Sequence, residues 1–196
     1  MPELISLIEE VRACTLCSEH LEHGVRPVVQ LHEKARILIV GQAPGRKVHE
    51  SGVPFDDASG DRLRDWLGID KATFYDEAQI AILPMGFCYP GSHKGKGKSG
   101  DLAPRPECAK AWRKALLSKL ERIELTLVIG QYAQAYHLGK RLNVTETVKA
   151  WQDYWPDCVP LPHPSPRNNI WMAKNPWFSE NLLPKLKLEV ARILPS

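Results

Sequence analysis

The chain has 196 residues, 43% of them apolar, and its 26 basic side chains exceed its 23 acidic ones by three, for a formal net charge of +3. That length and apolar content support one substantial core, and we expect a single domain over residues 1–196. No apolar run approaches the roughly 20 residues that span a bilayer, and the opening MPELISLIEEVRAC is acidic and amphipathic rather than a basic, apolar leader. The expectation is a soluble, cytoplasmic protein. A charge of this size permits a polyanionic partner without requiring one. Five cysteines, an odd number without an export signal, argue against a disulfide framework and leave metal or cluster ligation open.

In chain order, residues 3–13 place Leu4, Ile5, Leu7, Ile8 and Val11 at helical spacing. Residues 36–40 (RILIV) form a short continuous apolar run that ends at Gly41, as a buried parallel strand would. Runs at 80–83, 125–129 and 158–161 resemble it, and helical patterns lie at 59–67, 106–121, 131–139 and 178–193. Strands alternating with helices predict an α/β fold, a three-layer α/β/α sandwich around a central four-stranded, mainly parallel sheet. Function is then expected on the loops that leave the strand ends.

Those loops are compositionally unusual. Gly41 and Gly45 flank Gln42-Ala43-Pro44 in a turn that can expose backbone N–H groups to an anion or a polar heterocycle, or can serve simply as a tight strand-to-helix turn. Its spacing matches neither GxGxxG nor the Walker loop. His163 is followed by a stiff Pro-Ser-Pro turn that would hold its ring at the sheet edge. An imidazole there could stabilise charge on a leaving group, although a lone loop histidine is often incidental. Arg167, Asn168, Asn169 and Trp171 offer donors and an aromatic surface of the kind nucleic-acid sites use, whereas Trp177 and Phe178 read as core for the last helix. Lys94, Lys96 and Lys98 alternate with glycine, which suits phosphate contact or a solvated connector.

Together these segments carry a resemblance. An N-terminal CxxC, the GQAPG loop, a G-x-P-F segment ending at Phe55, a central cysteine pair and the C-terminal HPS loop resemble, in order and spacing, the uracil-DNA glycosylase superfamily, and within it the family 4, iron–sulfur-containing bacterial enzymes. The resemblance covers nearly the whole chain. It implies base flipping and cleavage of the N-glycosidic bond of uracil or a related deaminated base in single- or double-stranded DNA. It further implies that Gly41, Gln42, Ala43 and Gly45 border the base and the attacking water, that Phe55 stacks on the flipped base, and that His163 donates to the base oxygen that becomes anionic. Ser165, Pro166 and Arg167 would press against the DNA near the lesion. Cys14, Cys17, Cys88 and Cys108 would hold a 4Fe-4S cluster, with zinc or free thiols as the alternatives, and Cys158 reads as a small core residue. Glycosylases of this layout act as monomers.

The sequence also departs from that family. Family 4 has a glutamate where Gln42 stands and an acidic pair further along, aligned here with Val48-His49. Glu50, Asp56 and Asp57 are then candidates for positioning water, and His49 for a base near neutral pH. After the second strand, where family 4 reads uracil with an asparagine, this chain has Pro84. A proline offers no side-chain donor or acceptor, so selectivity must come from elsewhere. The rival to a glycosylase is a non-catalytic protein of the same fold that binds flipped or abasic nucleotides. A third possibility is an enzyme acting on a small nucleobase or nucleoside, which salt-dependent affinity for oligonucleotides would distinguish.

Overall fold

The computed structural model describes residues 2–95, 100–139 and 143–194. Strands β1 (Ile37–Val40), β2 (Ile80–Ile82), β3 (Leu125–Ile129) and β4 (Cys158–Leu161) form one sheet in the order β2-β1-β3-β4, every pair parallel. Beyond β2, Gln30 adds an isolated antiparallel bridge to Ile82. Its buried side-chain amide donates to the carbonyls of Phe74 and Ile80 at 3.0 and 2.8 Å, so this polar group at the sheet edge is satisfied rather than costly.

Successive side chains of a strand point to opposite faces, and all of β1 is buried, so the sheet must be covered twice. Ile37 and Ile39 join Ile80, Ile82, Leu125, Leu127, Val159 and Leu161 on one face. That face packs on Leu63, Trp66 and Leu67 of helix α3 (Ala58–Leu67) and on Leu186, Val190 and Ile193 of the last helix, Leu183–Ile193. Leu38 and Val40 face the other way with Ala81, Leu83 and Val128, and are covered by Leu4 and Val11 of α1 (Pro2–Arg12) and by Leu116 and Ala133. This is the expected three-layer sandwich. Each buried aliphatic side chain contributes about 1.5–3 kcal/mol relative to exposure.

Local chemistry sets the helix boundaries. Asp57 caps α3, its Oδ1 accepting from the N–H groups of Ser59 and Gly60 at 2.9 and 3.0 Å, and Gly68 ends the helix at φ 69°. The segment predicted as one helix over 106–121 runs as α (Pro106–Cys108), π (Ala109–Arg113) and α (Lys114–Leu117). The predicted terminal helix likewise opens with a π segment, Phe178–Leu182. Four helices lie outside the sequence prediction: α2 (Arg46–Ser51), α4 (Lys71–Tyr75), Val144–Lys149 and Asn169–Lys174. At five or six residues each, they are too short for apolar periodicity to register. No helix among the described residues is long and apolar enough to cross a membrane.

Candidate active site

The chain leaves β1 toward β2 on one side of the sheet, while β3 lies on the other, so the sheet's topological switch falls at the carboxyl ends of β1 and β3. The GQAPG loop leaves β1 at that point. Its backbone is tied to the loop after β2: Met85 N–H donates to Gly41 O and Gly86 N–H to Gln42 O, both at 2.9 Å. The Gln42 side-chain amide reaches the other way and donates to Leu102 O at 2.8 Å. That donor is therefore engaged in holding two loops together.

Phe55 stands over Gly41, where a Cβ would lie 3.6 Å from its ring, and meets Phe74 edge-to-face with centroids 6.1 Å apart. Phe55 has φ +54°, the left-handed region, unique among the described non-glycine residues. Such a conformation costs on the order of 1–3 kcal/mol and persists only where surrounding structure imposes it.

The HPS loop brings His163 to the same end of the sheet. Ser165 N–H donates to His163 Nδ1 at 3.2 Å, and Asn168 Nδ2 donates to His163 O at 2.7 Å. With Nδ1 accepting, the neutral ring carries its proton on Nε2. The ring keeps one part open to solvent, yet the chain packed around the rest pushes its pKa below the ordinary value, outweighing the opposite pull of Asp57 and Asp101. Ser165 Oγ accepts from Arg167 N–H at 3.2 Å, starting a short 3-10 turn over Pro166–Asn168. From α3, Arg62 clamps the loop, donating to Ser165 O at 3.0 Å and to Asn169 Oδ1 at 2.8 Å.

Other predicted site residues are placed differently. Glu50 is exposed on α2 and pairs with Arg46 at 3.0 Å. The His49 ring lies between His23 and Tyr89, with centroids 6.3 and 5.9 Å away; its Nε2 contacts His23 O at 3.0 Å and its Nδ1 is buried without a partner. Ala43 remains partly exposed in the first loop and Arg167 is exposed near Gly100, whereas Asp56 is simply exposed. Trp171 does not offer the free aromatic surface the sequence suggested: its indole N–H donates to Thr145 Oγ1 at 2.8 Å and its ring packs on Trp177 and Phe178. Phe178 is fully buried, as expected of core. Lys94 makes an exposed ion pair with Glu22 at 2.7 Å, and Lys96 and Lys98 lie outside the described residues.

Pro84 is buried, and its carbonyl accepts from Arg113 at 2.9 Å. Arg113 is itself fully buried, reaches Leu83 O and His137 Nε2 at 3.2 and 2.9 Å, and lies over the Tyr136 ring. Burial lowers its pKa to about 10 and, with the Arg113 charge, lowers that of His137 to about 4. Spacings of three, four and seven residues put Arg113 on one helical face with Leu116, Leu117 and Leu120, and this guanidinium is buried there.

Cys14, Cys17, Cys88 and Cys108 all line one small recess, with Leu21, Val25, Pro27, Phe87 and Arg105. Burial raises the Cys88 thiol to about 11 and pushes Cys108 up as well. In the same recess the Arg105 Nε is buried without a partner, although its NH2 pairs with Glu107 at 2.7 Å. Cys158 is half-buried against the second core face. Sequence reasoning missed Arg62, Tyr89, Ser92 and Asp101, which belong to no local motif and converge only through the fold.

The family model of the uracil DNA glycosylase superfamily matches residues 29–187, a span that includes both strand-end loops, Cys88 and Cys108. A type-4 uracil-DNA glycosylase from Thermotoga maritima is 27% identical over 151 residues, covering 74% of this chain and 71% of that protein. A Methanosarcina acetivorans protein solved by solution NMR as a candidate uracil DNA glycosylase aligns over 84% of this chain and 94% of its own, at 15% identity and a TM-score of 0.49. A match spanning both loops of the switch-point crevice places the sheet, the GQAPG loop and the HPS loop in one ancestry: this chain belongs to the uracil DNA glycosylase superfamily.

Proposed function

We propose that this protein hydrolyses the N-glycosidic bond of uracil, or of a related deaminated base, in DNA after flipping the nucleotide from the stack, leaving an abasic site. The observation that carries this reading is the hydrogen bond from Ser165 N–H to His163 Nδ1. It leaves a neutral ring with its proton on Nε2, held ready to donate to the base oxygen. As the bond breaks, negative charge grows on the departing base, and a fixed donor aimed at it stabilises the transition state more than the ground state. The depressed pKa of His163 favours that neutral form near pH 7. Phe55 stacks on the flipped base, and Gly41, Ala43 and Gly45 let backbone approach it. Ser165 and Arg167 meet the DNA beside the lesion.

The four cysteines suit a 4Fe-4S cluster bound by Cys14, Cys17, Cys88 and Cys108. Their shared recess and the unpartnered Arg105 Nε favour an anionic group there. Among the described residues no three His, Cys, Asp or Glu stand close enough to share one ion. A 4Fe-4S cluster takes one thiolate per iron, and zinc held by the same four thiolates is the alternative. When bound, such a cluster would tie the segment after α1 to the loop that follows β2, a structural role.

One observation favours the second reading, a protein that binds damaged DNA without cleaving it. Pro84 has no N–H, and its carbonyl already accepts from Arg113, which leaves little to read uracil at that position. Alkali-revealed cleavage of end-labelled oligonucleotides bearing uracil, hypoxanthine or xanthine separates the two. Excision by wild type that His163→Ala lowers by about 10²-fold, with DNA affinity retained, supports the glycosylase. Binding without release of any base supports the second reading.

A further inference from the structure

Hydrolysis at the sugar needs a group that holds the attacking water and takes its proton, and the GQAPG loop carries no carboxylate. We propose that Asp101 is that group, an inference that rests on the glycosylase reading above.

Asp101 belongs to the loop after β2, distant in sequence from both family motifs. Its Oδ2 lies 3.7 Å from the point where a Cβ on Gly45 would sit, which sets the carboxylate against the first loop. The next residue, Leu102, accepts the Gln42 side chain at 2.8 Å and so fastens this segment over the same loop. Asp101 also acts electrostatically on His163, raising its proton affinity. One carboxylate therefore stands near both strand-end loops.

Its orientation is built in. The antiparallel bridge between Ser92 and Asp101 fixes the backbone, and Ser92 Oγ donates its single proton to Asp101 Oδ1 at 2.8 Å. Tyr89 must then donate to Ser92 Oγ across their 2.7 Å contact, and Tyr89 is only 2% exposed. A relay rooted in the core thus occupies Oδ1 and leaves Oδ2 for a ligand. Asp57, the other carboxylate acting on His163, caps α3 through its Oδ1, whereas it is the Asp101 carboxylate that stands against the GQAPG loop. Glu50 is committed to Arg46. In the step, the bond between C1′ and the base nitrogen breaks with its electron pair going to the base. A water oxygen bonds to C1′, its proton passes to Asp101 Oδ2, and the base leaves as an anion hydrogen-bonded by His163. Asp101 later returns the proton to solvent.

The test is single-turnover excision by wild type, Asp101→Asn and Asp101→Ala on an oligonucleotide with one uracil, alongside affinity for the same strand carrying a non-hydrolysable 2′-fluorinated deoxyuridine. General-base loss should lower the excision rate of both variants by about 10²-fold or more, with affinity close to that of wild type. Wild-type excision by either variant overturns the role of Asp101 while leaving the glycosylase reading intact. No base release by wild type itself from uracil, hypoxanthine or xanthine strands overturns the glycosylase reading and this inference with it.

Discussion

Gly60→Ala reverses the usual effect of this substitution in a helix. On propensity alone, alanine in α3 would stabilise by about 1 kcal/mol. A methyl group on Gly60, however, would stand 1.8 Å from the carbonyl oxygen of Phe55, 2.8 Å from its carbonyl carbon and 2.9 Å from its Cβ. Ordinary contact begins at 3.4 Å, so the oxygen must move by 1.6 Å (3.4 − 1.8), and a backbone atom cannot rotate away as a side chain would. Relief of such overpacking costs about 1–3 kcal/mol. Phe55 already sits at φ +54°, so it has little room to yield. Taking the upper part of that range less the propensity gain leaves a net loss of about 2 kcal/mol, or a Tm lower by about 4–8 °C at this chain length. The displaced residue is the one whose ring covers Gly41, so base excision should fall with stability. Circular dichroism melts and single-turnover excision on the same preparation check both. A Tm at or above that of wild type would refute the packing argument, and a lowered Tm with unchanged excision would remove Phe55 from the base pocket.

Arg62→Met keeps the aliphatic stem but removes the donors to Ser165 O and Asn169 Oδ1. It should destabilise by about 1–2 kcal/mol and slow excision by about tenfold as the His163 loop loosens; an unchanged rate would make the clamp purely structural. Cys88→Ser should purify with far less than the about four irons per chain that a 4Fe-4S cluster supplies and should melt earlier than wild type. Iron-free wild type prepared under anaerobic conditions would refute the cluster. The pKa of His137 falls from 6.5 to about 4 in the folded chain, so the unfolded chain holds a proton between those values that the folded chain refuses. Its contribution to stability is therefore fully present above pH 6.5 and is lost as pH falls toward 4. His137→Gln should flatten the Tm difference between about pH 5 and about pH 7.5, and an undiminished difference would assign it to other groups.

Legible in one dimension are the features that lie in short continuous stretches. The four strands were legible because a strand buried on both faces must be apolar throughout, as Ile37–Val40 is. The GQAPG and HPS loops were legible because glycine and proline mark chain reversals at strand ends, and the CxxC because cysteine spacing is itself a signal. Which groups meet follows from the packing of those stretches in space. Helices of five or six residues, such as α2 and α4, escaped periodicity because they are held by caps and packing rather than by an apolar stripe. Arg113 shares helical spacing with Leu116, Leu117 and Leu120, but its bonds to Leu83, Pro84 and His137 join segments far apart in the chain. Asp101 belongs to no local motif, because its approach to Gly45 and its link through Ser92 to Tyr89 depend on the connection after β2 folding back on itself and over the GQAPG loop. Motifs are local and survive in one dimension. The electrostatics of a site depend on distance through space, and the fold alone sets that distance.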